Sequence, residues 1–159
     1  MIDGVKLIPL QTHTDERGFF REVLRIGDIE QFGQWSHSAM YQDTIKAWHI
    51  HSTQTDYWYL ATGVIKAVLC DLRQSPIGKT AEWIPSELAN GFPVPAEFIL
   101  GDNQPPSVLV IPPGVAHGLK VLQGPAHLFY VTSHVYNPKD EGRIPYYALG
   151  YNWHKVDIK

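Results

Sequence analysis

The stretch Trp48-His49-Ile50-His51-Ser52-Thr53-Gln54-Thr55-Asp56-Tyr57-Trp58-Tyr59-Leu60-Ala61-Thr62-Gly63 decides the architecture. Two histidines one residue apart, set in a run of Trp, Ile and Tyr, read as a strand whose alternation sends His49 and His51 to one face. Asp56 follows after four residues and Gly63 after six more. A hairpin turn at Gly63 would run the preceding residues antiparallel to residues 64–71 and bring Asp56 level with the histidines. A second segment, Ile111-Pro112-Pro113-Gly114-Val115-Ala116-His117-Gly118, supplies a Pro-Gly turn that would deliver His117 to the same cavity. Three histidines and a carboxylate thus converge on one place.

Outward from these segments, apolar runs of strand length recur at residues 5–10, 18–24, 45–50, 57–61, 64–71, 108–111, 118–122 and 127–132. Most are bounded by Gly, Pro, Asn or Asp, as strands are. Helical periodicity is nearly absent, and residues 26–32 are the best candidate for one short helix. The stretch 74–106 is richer in Ser, Pro, Gly and Asn and reads as longer loops with short strands near 81–84 and 97–100. The expected fold is all-β, a jelly roll or related barrel.

At 159 residues, with 44% hydrophobic and 12% aromatic residues, the chain fits one domain spanning 1–159 with one sizeable core. A formal charge of −3 without like-charge runs offers no basic stripe for nucleic acid. Neither a signal-peptide pattern nor about 18 consecutive apolar residues occurs, the expectation for a soluble cytoplasmic protein without membrane contact. The sole cysteine, Cys70, lies in an apolar run and reads as a small core residue.

His-x-His, acid, Gly, then Pro-x-Gly-x-x-His are the two halves of the cupin signature, which implies a cupin-type jelly-roll barrel. Four further segments resemble the dTDP-4-dehydrorhamnose 3,5-epimerase family. They are Asp15-Glu16-Arg17-Gly18-Phe19-Phe20-Arg21-Glu22, Asp71-Leu72-Arg73-Gln74-Ser75-Pro76, the Pro113 to Gly118 turn, and the Tyr130, Tyr136, Pro138, Glu141 series. The resemblance implies a nucleotide-sugar isomerase. It casts His49 as general base and Tyr130 as proton donor. It casts Arg17, Phe20, Glu22, His117, Tyr136 and Glu141 as substrate contacts, with Tyr136 stacking on the nucleotide. The chemistry suits these types. Inverting a carbon beside a keto group needs a base on one face and an acid on the other, and imidazole titrates near about 6.5. The enolate oxygen needs a donor or cation, which His117 or Lys46 can supply.

The departures from the family are equally specific. Lys46 stands where the family has Arg, so the charge survives without the bidentate fork. His51 replaces Gln, and Asp56 lies near the level of a lost strand lysine. Trp48 and Trp58 are expected to narrow the sugar pocket. The family's base pairs with an Asp in a C-terminal tail that this sequence does not show. The carboxylate orienting His49 is therefore sought among Asp56, Asp71 and Asp157, and Asp71 ranks first as a residue on a neighbouring strand.

No cofactor is expected, and the predicted assembly is a homodimer with N-terminal strand exchange. In such a dimer Arg17, Phe20 and Glu22 would serve the partner's site. Three alternatives remain open at this level. One is a 3,4-ketoisomerase of the same substrate class. Another is a metal-binding cupin using His49, His51, Asp56 and His117, a nitrogen-rich set suited to Fe, Mn, Ni or Zn. The last is a non-catalytic sugar-nucleotide-binding protein. His13, His37, His127, His134 and His154, with Trp35, Trp83 and Trp153, carry no motif and read as structural or surface residues.

Overall fold

The computed structural model describes residues 2–74 and 94–155. The strand expected near 81–84, Trp83, Asp157 and the Ser75-Pro76 end of one motif lie outside them. Ten strands run in order: β1 Lys6–Pro9, β2 Thr12–Asp15, β3 Gly18–Arg21, β4 Gln34–Met40, β5 Ile45–His51, β6 Asp56–Asp71, β7 Ala96–Gly101, β8 Ser107–Ile111, β9 Val115–Thr132 and β10 Glu141–Arg143. The helix expected over 26–32 reduces to one 3₁₀ turn, Ile26–Asp28. β2 and β3 form a separate hairpin, and every other described strand joins one antiparallel sheet.

Two long strands organise that sheet. β6 and β9 pair with each other along almost their whole length, and their register shifts between Leu60 and Ile65. Residues 56–58 of β6 also pair with β8, whereas residues 64–69 pair with β7. β9 divides likewise, pairing with β5 early and β4 late. The sheet therefore folds over itself into two walls, as a jelly roll does. Between the walls lies the main core, with Trp58, Leu60, Leu109 and Leu128 from one wall and Ile65, Leu69, Leu119 and Val121 from the other.

Gly63 does not turn a hairpin. It sits inside β6 at the bend, with φ +82, and a Cβ there would stand 2.7 Å from the Gln123 carbonyl and 2.8 Å from that of Pro125. Only glycine accepts that backbone conformation and approach without strain. The runs 57–61 and 64–71 are two halves of one strand, and 118–122 and 127–132 likewise merge into β9.

Trp48, Ile50, Val68, Cys70 and Leu72 face away from the main core and are covered by Ile144, Ala148, Leu149 and Trp153. Trp48, 1% exposed, therefore belongs to this outer core and not to the sugar pocket. Cys70 is a core residue as expected, its thiol pushed up to about 11 by burial first and by Asp71 second. No helix among the described residues is long and apolar enough to cross a membrane.

Candidate active site

At one end of the sandwich the two walls enclose a cavity of about 320 Å³. β5 contributes Lys46, His49 and His51, β9 contributes His117 and Tyr130, and β6 contributes Asp56 and Trp58. Strict alternation would put Lys46 and His49 on opposite faces. A bulge places them together: Lys46 pairs with Leu119 and His49 with His117, so one extra residue sits on β5 between them. β4, which lacks a hydrophobic alternation, lines the cavity with Gln34 and Ser38 and turns Trp35 outward, 68% exposed.

His49 is paired with a carboxylate. Its Nδ1 lies 2.9 Å from Glu141 Oε1, and the Glu141 side chain is 10% exposed. Glu141 is held in turn by Arg143 at 3.4 Å and by the Tyr136 hydroxyl. Burial alone would raise its carboxyl, but hydrogen bonding from Arg143 and the charge of His49 hold it below the usual range. A buried carboxylate accepting Nδ1–H fixes the tautomer that leaves Nε2 as the basic nitrogen. Burial also lowers His49 below the ordinary imidazole value, against the opposing pull of Glu141, so the ring is neutral at pH 7.

Asp71, expected to orient His49, is engaged elsewhere. It receives Arg73 Nε at 2.8 Å and Nη2 at 2.6 Å, and it does not line the cavity. The strand order β6-β9-β5-β10 explains the correction, since β9 separates Asp71 from His49 whereas Glu141 lies on the adjacent β10. Glu141, expected to bind substrate, is the carboxylate that lies against His49.

A second polar group lies deeper. His117 Nδ1 donates to the Val115 carbonyl at 3.1 Å, which turns Nε2 toward Asp56 Oδ2 at 3.6 Å. Asp56 accepts from Gln54 at 2.7 Å and from the Trp58 indole at 3.2 Å. Gln54 also reaches His51 Nε2 at 3.3 Å. Burial pushes His117 well below the ordinary imidazole value, with Asp56 opposing, so His117 is neutral at pH 7 and its one proton is spent on Val115. It therefore turns no N–H toward the cavity, and Lys46, whose Nζ donates to Ser38 Oγ at 2.7 Å, stands on the cavity wall.

The match to known proteins follows this geometry. The family model described as dTDP-4-dehydrorhamnose 3,5-epimerase matches residues 1–158. The chain belongs to this epimerase family. It is an isomerase of the dTDP-sugar epimerase class, with the all-β cupin fold. The spore coat polysaccharide biosynthesis protein SpsL of Bacillus subtilis is 40% identical over 96% of this chain and 97% of its own length. Among solved structures, the dTDP sugar isomerase of Desulfovibrio desulfuricans superposes with a TM-score of 0.82 at 25% identity, over 98% of this chain and 94% of that one. An epimerase of Legionella pneumophila, solved in complex with dTDP-4-keto-L-rhamnose, superposes at 0.74 and 26% identity, over 98% of this chain and 81% of that one.

Of the residues expected at the epimerase site, Lys46, His49, His51, His117, Tyr130, Tyr136 and Glu141 line the cavity, and so does Asp56, expected as an alternative metal ligand. Arg17, Phe20 and Glu22 do not. Arg17 caps the β2–β3 turn on Asp15, 82% exposed, Phe20 is 62% exposed on β3, and Glu22 pairs with Arg25. Sequence reasoning missed Gln34, Ser38, Gln54 and Arg143 in the lining. The alternation of Gln34, Ser36 and Ser38 with Trp35 and His37 was the available signal for β4, because a strand facing a polar cavity inverts the usual pattern. Of the four suggested metal ligands, His51, Asp56 and His117 cluster with donor atoms within 4.8 Å of one another, and His49 stands apart on Glu141.

Proposed function

We propose that the chain inverts a carbon beside the keto group of a dTDP-linked 4-keto-6-deoxyhexose, at C3, C5 or both. His49 Nε2 takes the α-proton, the electron pair moves onto the keto oxygen as an enolate, and the Tyr130 hydroxyl returns a proton to the opposite face. The observation that carries this reading is the His49–Glu141 pair, which leaves one neutral, oriented imidazole nitrogen in a cavity that also holds the Tyr130 side chain. Lys46 stabilises the enolate, since a preorganised cation near a developing oxyanion is the strongest help such a reaction can have. Lys46 and Arg143 are the cations of the lining, and they accept the diphosphate, with Tyr136 against the base. The dTDP-4-keto sugar held by the Legionella relative supports this substrate class.

The same reading gives the distant Arg17, Phe20 and Glu22 a place. They lie on or directly after the separate β2–β3 hairpin, whose Phe19 and Phe20 are 65% and 62% exposed, and in a homodimer with N-terminal strand exchange they would reach the partner's cavity.

The test is incubation with dTDP-4-keto-6-deoxyglucose in deuterated water, following C3 and C5 by NMR. Deuterium at one or both carbons with inversion, abolished in His49→Ala, is the expected result. Isomerisation between C3 and C4 would assign a ketoisomerase instead. Nucleotide binding without exchange would refute catalysis on this substrate.

A further inference from the structure

β10, which carries Glu141, is three residues long and pairs with β5 alone among the described strands. So short an edge strand has little of its own to hold it in place, because its ladder bonds compete with water. Its far end is fixed from outside: Ile144 exchanges both backbone bonds with Trp48, at 2.9 and 3.1 Å, and the Trp48 indole donates to the Tyr146 carbonyl at 3.2 Å. Its near end, where Glu141 stands opposite His51, has a different clamp. Asp140 Oδ1 accepts the backbone N–H groups of Ser52 and Thr53, each at 3.0 Å. These two residues directly follow β5, so one carboxylate ties the start of β10 to the end of the strand that carries His49. Burial would raise the Asp140 carboxyl, but hydrogen bonds from Thr53 and Ser52 hold it below the usual range, and the clamp is a charged one. The turn before it is equally fixed, since the Asp140 and Glu141 amides both donate to the Asn137 carbonyl, at 3.0 and 3.2 Å.

We propose that Asp140 is a positioning residue for the epimerisation: by clamping the amides of Ser52 and Thr53 it holds Glu141 against His49, and so decides which imidazole nitrogen carries the proton. The inference rests on the reading of His49 as the base. Asp140 does not line the cavity, and its nearest titratable neighbour there is His51, whose Nδ1 lies 3.9 Å from Oδ2. Its effect passes through Glu141. The 2.9 Å contact between Glu141 and His49 joins side chains on two strands, so it survives only while those strands keep their register. A displacement of about 1 Å breaks such a bond, frees the ring to change tautomer, and can cost about 100-fold in rate.

The test compares Asp140→Ala with Asp140→Asn, which loses the charge but keeps a carbonyl oxygen for the two amides. Asp102→Ala is the control, because Asp102 accepts the Gly63 N–H at 2.9 Å and does not line the cavity. Two readouts are taken on the full-length chain: the His49 tautomer by ¹⁵N NMR without substrate, assigned by its loss in His49→Gln, and turnover of dTDP-4-keto-6-deoxyglucose. In Asp140→Ala the Nδ1–H form is expected to lose its dominance and kcat to fall by about 30-fold, with KM within about threefold. Asp140→Ser, too short to bridge both amides, should match it. The acid limb of the pH profile moves down in both, because Glu141 pulls the His49 pKa up while Arg143 and His51, which lower it, stay in place. Asp140→Asn and Asp102→Ala should keep the wild-type tautomer, limb and rate within about threefold. An unchanged tautomer in Asp140→Ala and Asp140→Ser, an Asn variant as defective as the Ala variant, or a raised KM with kcat intact each overturns the proposal. A tautomer that changes as expected in a chain whose wild type exchanges no sugar proton would refute the epimerase reading and leave the clamp standing. An active wild type whose Ala variant keeps tautomer and rate would refute the clamp alone.

Discussion

His49 Nδ1 and Glu141 Oε1 stand 2.9 Å apart across the β5–β10 edge, a carboxylate behind one nitrogen of an imidazole on the cavity wall. In the proposed mechanism Glu141 is a positioning residue. Glu141→Gln is expected to lower kcat by about 100-fold with little change in KM, within the range that general-base help contributes. The pH profile separates this role from a structural one. His49 must be unprotonated to act, and burial sets its pKa below the ordinary value, so the acid limb of the wild-type profile lies below about 6.5. Glu141 pulls that pKa upward, so removing its charge moves the acid limb to still lower pH. An unmoved limb would sink the assignment.

Tyr130 lies on the wall formed by β9 and β4, opposite Trp58 and Ser36 in register. In Tyr130→Phe the base can still remove a proton and return a deuteron to the same face. Solvent exchange should persist while inversion falls by about 100-fold or more. Parallel loss of exchange and inversion would remove Tyr130 from the acid's role.

Lys46→Met and Arg143→Ala are expected to raise KM by about tenfold each, with the Arg143 effect shrinking at high salt as screening replaces it. Lys46→Met should also lower kcat, because the enolate loses its ammonium. A KM unaltered in both variants would place the diphosphate elsewhere.

Mixing inactive chains tests the hairpin. Arg17→Ala and His49→Ala mixed in equal amounts would form half mixed dimers, each with one intact site, and recover about a quarter of wild-type activity. Sites completed within one chain would recover none.

Gly63→Ala is expected to destabilise the fold by about 3 kcal/mol or more, read as a lower urea midpoint. The new methyl meets the Gln123 and Pro125 carbonyls at a backbone angle that alanine adopts poorly.

The sequence by itself determined the fold class, the family and most of the cavity. The histidines and tyrosines carry chemistry in short motifs, and β-branched and aromatic runs announce strands whatever their partners. His49, His117 and Tyr130 were legible for that reason. What only the tertiary structure decided was adjacency. Which carboxylate lies against His49 depends on strand order, and β9 stands between Asp71 and His49 while β10 brings in Glu141 from far along the chain. The bulge that turns Lys46 inward, the inverted polarity of β4 and the bend at Gly63 likewise arise from pairing between distant strands. Hydrogen-bond register is a property of two strands at once, and no local run of residues encodes it.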